Sequence, residues 1–293
     1  MHDVKGKTAV VTGAASGIGF ALCQVFGREG MNIVMADIEK DALDEALEQI
    51  KSTGTNAIAV VTDVIDPDSV QALADKSFDT FGNVHILCNN AGVGIKEAAR
   101  PIWTLTANDW NWGYGVNVMG PVNGIRAFVN RMIENDEEGH VINTVSSNGT
   151  YVSLPTTPIY ASTKAALTSL TEVMYQQFAK NKTKLKASVM LPGPHWINDS
   201  KILISQRNRQ QEFQDEAIVE DYGSIEDIRE AALGKVEEDF PTTDPIEIAE
   251  YTFKGICAGD FWIRPELFKE ELKDRLRERS ESVFNATNPE ILD

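Results

Sequence analysis

The stretch "TAVVTGAASGIGFALCQVFGREGMNIVMAD", Thr8 to Asp37, decides the architecture of the chain. It opens with a short β-branched run that stops at Gly13 and continues through an amphipathic segment from Ile18 to Glu29. It returns to a second apolar run from Met31 to Asp37. Two apolar runs joined by one helix-length segment make a strand–helix–strand unit. Gly13, Gly17 and Gly19 lie between the first strand and the helix, with Ser16 and Ile18 among them. Glycine lets a backbone turn tightly and approach a ligand, and a helix N-terminus offers unpaired N–H groups. A pyrophosphate suits such a place. The spacing G-x-x-x-G-x-G is not the commoner G-x-G-x-x-G, and a glycine-rich loop of this kind can also be only a turn.

The alternation continues beyond this unit. "AIAVVTDV" (Ala57 to Val64) precedes helix signals from Asp66-Pro67 to Phe81. "VHILCNNAG", "HVINTVSS" and "LKASVML" (Leu185 to Leu191) are further runs, and "DFWI" near Ile263 is a candidate seventh. Near-continuous apolar strands alternating with helices predict an α/β fold: a doubly wound parallel sheet of about seven strands with helices on both faces. Ligands then belong outside the carboxyl ends of the strands. One domain is expected over residues 1–265, with a C-terminal tail, 266–293, whose leucines and phenylalanines follow helical spacing.

Bulk composition narrows the function classes. The formal charge of -17 over 293 residues argues against nucleic acid or an anionic membrane as partner. No apolar run is long enough to span a bilayer, and no signal-peptide stretch precedes the glycine loop. Cys23, Cys88 and Cys257 are scattered and odd in number, which fits reduced thiols in a cytoplasmic protein. No metal is indicated, since His195 has no ligand companions among His2, His85 and His140.

Asp37 ends the second strand, eighteen residues beyond Gly19. A carboxylate there can hold the adenosine ribose hydroxyls of a dinucleotide, and it repels a 2′-phosphate. Neither Ile38 nor Ser16 offers that phosphate a cation. NAD is therefore expected rather than NADP. A plain helix N-cap is the alternative role for Asp37.

"TGAASGIG", "DV" at Asp63-Val64, "NNAG" at Asn89 to Gly92, "VNV" around Asn117, "SSNG", "YASTK" and "PG" at Pro192-Gly193 stand in order along nearly the whole chain. In this the sequence resembles the short-chain dehydrogenase/reductase family, with its Rossmann-like fold. The resemblance implies that Asp63 and Val64 border the adenine and that Asn90, Ala91 and Gly92 line the cofactor cleft. It implies catalytic roles for Ser147, Tyr160, Lys164 and Asn117, with Tyr160 and Lys164 also meeting the cofactor. Ser147 is preferred over Ser146 because it lies thirteen positions before Tyr160.

The residues themselves support that chemistry. Thr157-Pro158 reads as a helix start, which places Tyr160 and Lys164 one turn apart on one face. A free phenol has a pKa of about 10, and bringing it near 7 takes about 4 kcal/mol. A cation at about 4 Å in an effective dielectric near 20 supplies a comparable amount. Tyr160 would take the hydroxyl proton of a secondary alcohol while hydride passes to the nicotinamide, or return it to a ketone. The same scaffold reducing a carbon–carbon double bond, or a non-enzymatic NAD-binding regulator, are the rival readings.

After "PG" the family pattern breaks. Ile197 occupies the place of a threonine that would meet the carboxamide. His195 and Trp196, with Tyr151, are candidate substrate contacts. Residues of about 195–245 are expected to form an acidic lid of solvated helices over a bulky, apolar small-molecule substrate. Trp103, Trp110 and Trp112 are candidates for its apolar wall or for core. A homo-oligomer, tetramer or dimer, is expected through the helices around Asn108 to Glu134 and Pro158 to Lys180.

Overall fold

The computed structural model describes residues 1, 3–97, 100–193, 196–198, 200–215, 242–265 and 270–288. Seven parallel strands form one sheet in the order β3-β2-β1-β4-β5-β6-β9. They are β1 (Thr8–Thr12), β2 (Asn32–Asp37), β3 (Ala57–Val61), β4 (Ile86–Asn89), β5 (Gly139–Thr144), β6 (Leu185–Met190) and β9 (Trp262–Ile263). A separate two-stranded pairing joins β7 (Trp196–Ile197) to β8 (Thr242–Thr243). The strand order reverses between β1 and β4, which opens a crevice at their carboxyl ends.

Both sheet faces are covered, so the strands are mostly apolar. Successive residues of β1 feed opposite cores. Ala9 and Val11 join Phe26, Ile33, Met35 and Ile248, whereas Val10 joins Leu73, Phe78, Phe128 and Phe178. The first core is closed by α1 (Gly17–Arg28), α2 (Lys40–Ser52) and α7 (Pro245–Ala258). The second is closed by α3 (Pro67–Phe81), α5 (Gly120–Glu134) and α6 (Pro158–Lys180).

Local chemistry sets the helix ends. Asp66 and Asp244 cap α3 and α7 with their carboxylates, each followed by proline at the first helical position. Helix α4 (Ala107–Tyr114) starts with a capping box between Thr106 and Asp109. It runs into α5 through a π turn, Gly115–Met119, which holds Asn117. A last helix, α8 (Glu270–Asn285), falls in the expected tail.

Candidate active site

The glycine loop runs from the end of β1 into α1, at the crevice. Gly13 and Gly17 have φ of +67° and +53°, a region that disfavours side chains. A Cβ on Gly19 would sit 2.0 Å from the Gly13 carbonyl oxygen, so the loop closes on itself only with glycine there. A Cβ on Gly17 would meet nothing within 4 Å. That open space above the first turn of α1 is the cradle a pyrophosphate needs.

Thr12 at the end of β1 ties this loop to β4. Its hydroxyl accepts from the backbone N–H groups of Asn90 and Ala91, both at 3.0 Å. Asn90 donates from its side chain to the Thr12 carbonyl at 3.1 Å and accepts from the Thr144 hydroxyl at 3.1 Å. The ends of β1, β4 and β5 are thereby held in one polar frame.

Asp37 ends β2 beside the loop. Its carboxylate accepts from the N–H groups of Ala15 at 3.0 Å and Glu39 at 3.1 Å. Burial pushes its carboxyl upward, and those N–H bonds oppose the push. The N-cap position of α2 is Glu39, so Asp37 is not that helix's cap. Glu39 is bound through its carboxylate by Arg207 and by Asn208 at 2.9 Å, and these contacts outweigh burial to pull it below its ordinary range. Asp63 accepts from the Ile65 N–H at 3.0 Å and from the Gln210 amide at 2.7 Å. Val64 lies against α5, its carbonyl accepting from Asn123 at 3.0 Å.

Tyr160 and Lys164 lie one turn apart on α6, as their spacing predicts. The Lys164 Nζ donates to the Thr144 carbonyl at 2.9 Å and sits 5.5 Å from the centroid of the Tyr160 ring. Burial lowers the Lys164 ammonium to about 8. Burial also raises the Tyr160 phenol, and the hydroxyl of Ser146 pulls the other way. Burial is thus the larger influence on the phenol.

Of the two neighbouring serines, Ser146 is the one whose hydroxyl pulls the phenol down against burial; Ser147 stays the serine that the motif spacing predicts. The chain bends sharply after it: Asn148 has ψ of 115° and Gly149 has φ of 101°. A Cβ on Gly149 would lie 2.3 Å from the Ala161 carbonyl oxygen, so this turn is pressed against α6. Asn148 braces it, donating to the Thr157 hydroxyl at 2.6 Å and accepting from the Leu154 N–H at 3.1 Å.

Asn117 is fully buried, and its amide serves the loop after β4. It accepts from the Val93 N–H at 2.9 Å and donates to the Val93 carbonyl at 3.0 Å. A Cβ on Gly92 would stand 3.3 Å from the Asn117 oxygen and 3.5 Å from the Lys164 Nζ.

One further expectation changes. The segment after Ser200 does not form solvated helices up to residue 215: Lys201–Asn208 and Gln211–Phe213 are 3-10 turns laid on the body. Leu203, Ser205 and Arg209 are buried there. Trp112 is fully buried in a core cluster with Ile95 and Ile159, so of its two candidate roles it takes the core one, whereas Trp103 is 82% exposed. Ile197 packs against the main core.

Tyr151 is half-buried against Val145, Leu167, Val189 and Leu191. Gly193 follows β6 with φ of 113°, packed near Pro265. His195 and residues 216–241 of the lid lie outside the described residues, as does the side chain of Trp196. Glu97, Thr12 and Arg207 were not foreseen, because their partners are distant in sequence, and Asn148 was not, because its partners meet it across an irregular bend. Nothing local to any of them marks the contact.

Comparison with known proteins bears on this arrangement. The family model described as short chain dehydrogenase matches residues 7–201. A 1-deoxy-11-beta-hydroxypentalenate dehydrogenase of Streptomyces avermitilis is 35% identical over 208 residues, 71% of this chain and 75% of its own length. A C alpha-dehydrogenase of a Sphingobium species is 30% identical over 99% of this chain and 89% of its own. A solved short chain dehydrogenase/reductase from Burkholderia phymatum, in complex with NAD, superposes with a TM-score of 0.87 at 32% identity. It covers 100% of this chain and 99% of its own.

Proposed function

Because the chain belongs to the short chain dehydrogenase family, an oxidoreductase with a nicotinamide cofactor, we propose that it interconverts a secondary alcohol and a ketone with NAD. The observation that carries this reading is the pairing of Tyr160 and Lys164 one turn apart on α6, with the Lys164 ammonium 5.5 Å from the Tyr160 ring centroid. When bound, NAD supplies the hydride acceptor for oxidation, NADH the donor for reduction, and the oxidised ring adds a positive charge.

The glycine loop, with Ser16, Ile18 and the open space at Gly17, would hold the pyrophosphate. Asp37 would hold the adenosine ribose, with Ile38, Asp63 and Val64 at the adenine. Asn90, Ala91, Gly92, Pro192, Gly193 and Ile197 would line the nicotinamide half. The preference for NAD is supported by two carboxylates, Asp37 and Glu39, at the end of β2. The nearby cation, Arg207, is already paired with Glu39.

In oxidation, Tyr160 as phenolate accepts the alcohol proton, and the Ser146 hydroxyl bonds the substrate oxygen and orients it. In reduction the phenol gives that proton to the forming alkoxide. The upward push of burial on Tyr160 keeps the phenol protonated at neutral pH, the form that reduction requires. Lys164 holds its place through the Thr144 carbonyl and lowers the cost of the phenolate.

A bulky apolar substrate is supported by the position of Tyr151 and Trp196 beside the motifs, with residues of about 195–245 as its cover. Assembly as a homo-oligomer through α5 and α6 belongs to the same reading. A panel of secondary alcohols incubated with NAD, followed at the nicotinamide absorbance, tests it. Turnover should appear with the wild type and fall by about 10² to 10⁴ in Tyr160→Phe. Undiminished activity in that variant would remove Tyr160 from the mechanism.

A further inference from the structure

Helix α6 carries the proposed acid–base pair, yet the residue at its N-cap does not cap it. Thr157 stands at that position without a side-chain bond to the first turn, and its hydroxyl accepts from Asn148 instead. The cap comes from the loop after β4. Glu97 is 0% exposed, and its carboxylate accepts from the N–H of Ile159 at 2.7 Å and of Tyr160 at 3.0 Å. The first of these is the shorter bond, and both are helix-terminal donors that have no intrahelical partner.

The same loop meets the rest of the site at its other end. Val93 is pinned by Asn117, and Gly92 packs beside Asn117 and the Lys164 ammonium. Eight residues, Asn90 to Glu97, thus run from the polar frame at β4 to the backbone of Tyr160.

We propose that Glu97 is a positioning residue for Tyr160, holding the first turn of α6 so that the placement and the ionisation of the phenol depend on the charge of this carboxylate. The proposal rests on the reading of Tyr160 as the acid–base residue. A buried anion at a helix N-terminus is favoured by the helix dipole. It also stands close to the residue that must itself become an anion in alcohol oxidation, and like charges disfavour each other's ionisation. The coupling is reciprocal: whatever Glu97 does to the phenol, the phenolate does to Glu97.

The surroundings allow Glu97 to change charge in the working range. Burial raises its carboxyl to about 7; the N–H groups of Tyr160 and Ile159 oppose the rise, Asp109 on α4 adds to it, and Arg100 opposes it. Asp109 is in turn neutralised by Arg100 and by Arg209 of the segment after Ser200. Tyr160 and Lys164 are the groups of α6 on this side, and Lys96 precedes Glu97 in the loop.

The test compares pH profiles of kcat/KM for NAD-linked alcohol oxidation in the wild type, Glu97→Gln and Glu97→Asp. Glutamine keeps an acceptor and loses the charge, so the acid limb should move to lower pH by roughly half a pH unit or more. Aspartate keeps the charge on a shorter arm, so its limb should stay while kcat falls by about tenfold or more. A purely structural cap would lower the melting temperature of both variants and leave both limbs in place, which overturns the proposal.

Tyr160→Phe is measured alongside. If it retains activity, the reading of Tyr160 fails; if it is inactive while Glu97→Gln keeps the wild-type limb, only the role of Glu97 fails. A measurement on the wild type covers a Glu97→Gln chain that does not fold. With 15N-tyrosine labelling, the Tyr160 amide proton should move downfield with a midpoint near pH 7, the value to which burial raises the Glu97 carboxyl. A resonance that stays flat across that range overturns the proposal.

Discussion

Arg209 donates to Asp109 at 2.8 Å, with side-chain exposures of 5% and 0%. This contact joins the segment after Ser200 to helix α4. Arg100 meets the other oxygen of Asp109 at 2.7 Å, and the Arg209 guanidinium lies 5.3 Å from the Trp112 ring centroid. The clasp holds the first part of the proposed lid onto the body.

Removing Arg209 leaves the buried Asp109 with Arg100 on its other oxygen. Arg209→Met is therefore expected to lower the unfolding free energy by about 2 kcal/mol, less than the full cost of an unpaired buried charge, read from denaturant titration. Arg209→Lys keeps the charge but not the planar fork, so its loss should be smaller. A loss below about 1 kcal/mol for Arg209→Met would place this pair with ordinary surface bridges.

The two neighbouring serines separate cleanly. The Ser146 hydroxyl pulls the phenol down against burial, so Ser146→Ala is expected to reduce kcat by about a hundredfold, the scale of one lost transition-state donor. Ser147→Ala should change kcat by less than about threefold. The opposite ranking would restore the role that residue counting assigns to Ser147.

Cofactor preference is expected to respond to both acids at the end of β2. Asp37→Ser removes a charge that opposes a 2′-phosphate, and Glu39→Gln frees Arg207 to meet one. Each should raise the NADP-to-NAD ratio of kcat/KM by about tenfold, equivalent to about 1.4 kcal/mol. A ratio that stays fixed in the double variant would mean that the ribose is read elsewhere.

His140 is expected to make the fold acid-sensitive. It is buried in β5 beside Ser188, and burial, the chain's N-terminal ammonium and Lys186 lower its imidazole to about 3. An unfolded histidine protonates near 6.5. As pH falls from about 6.5 toward 3, the unfolded chain binds a proton that the native state refuses. Stability is lost in that window by about 1.4 kcal/mol per pH unit. Comparing His140→Gln with the wild type by denaturation at several pH values isolates this loss. Parallel curves would show that His140 contributes nothing to it.

The strand–helix alternation was legible because a doubly covered parallel strand is largely apolar, as β1 is with Ala9, Val10 and Val11 between its threonines. Tyr160 and Lys164 were legible because their relation is one helical turn. Counting alone does not choose between Ser146 and Ser147, because the chain leaves regular structure at the bend of Asn148 and Gly149. Glu97 and Arg209 were hidden for another reason. Their partners lie 62 and 100 residues away, and only the closed fold brings these side chains to them. Trp112 was ambiguous because a core tryptophan and a pocket tryptophan look alike in sequence.

The π turn at Gly115–Met119 is a dislocation of one residue in an otherwise continuous rod from Ala107 to Glu134. One extra residue rotates everything beyond it by about 100°. Deleting a residue here would therefore repair the helix and spoil the protein, because Trp112 and Phe128 could no longer both reach their cores while Asn117 faces Val93. A designer smoothing this backbone would be erasing the hinge that lets one helix answer to three neighbours.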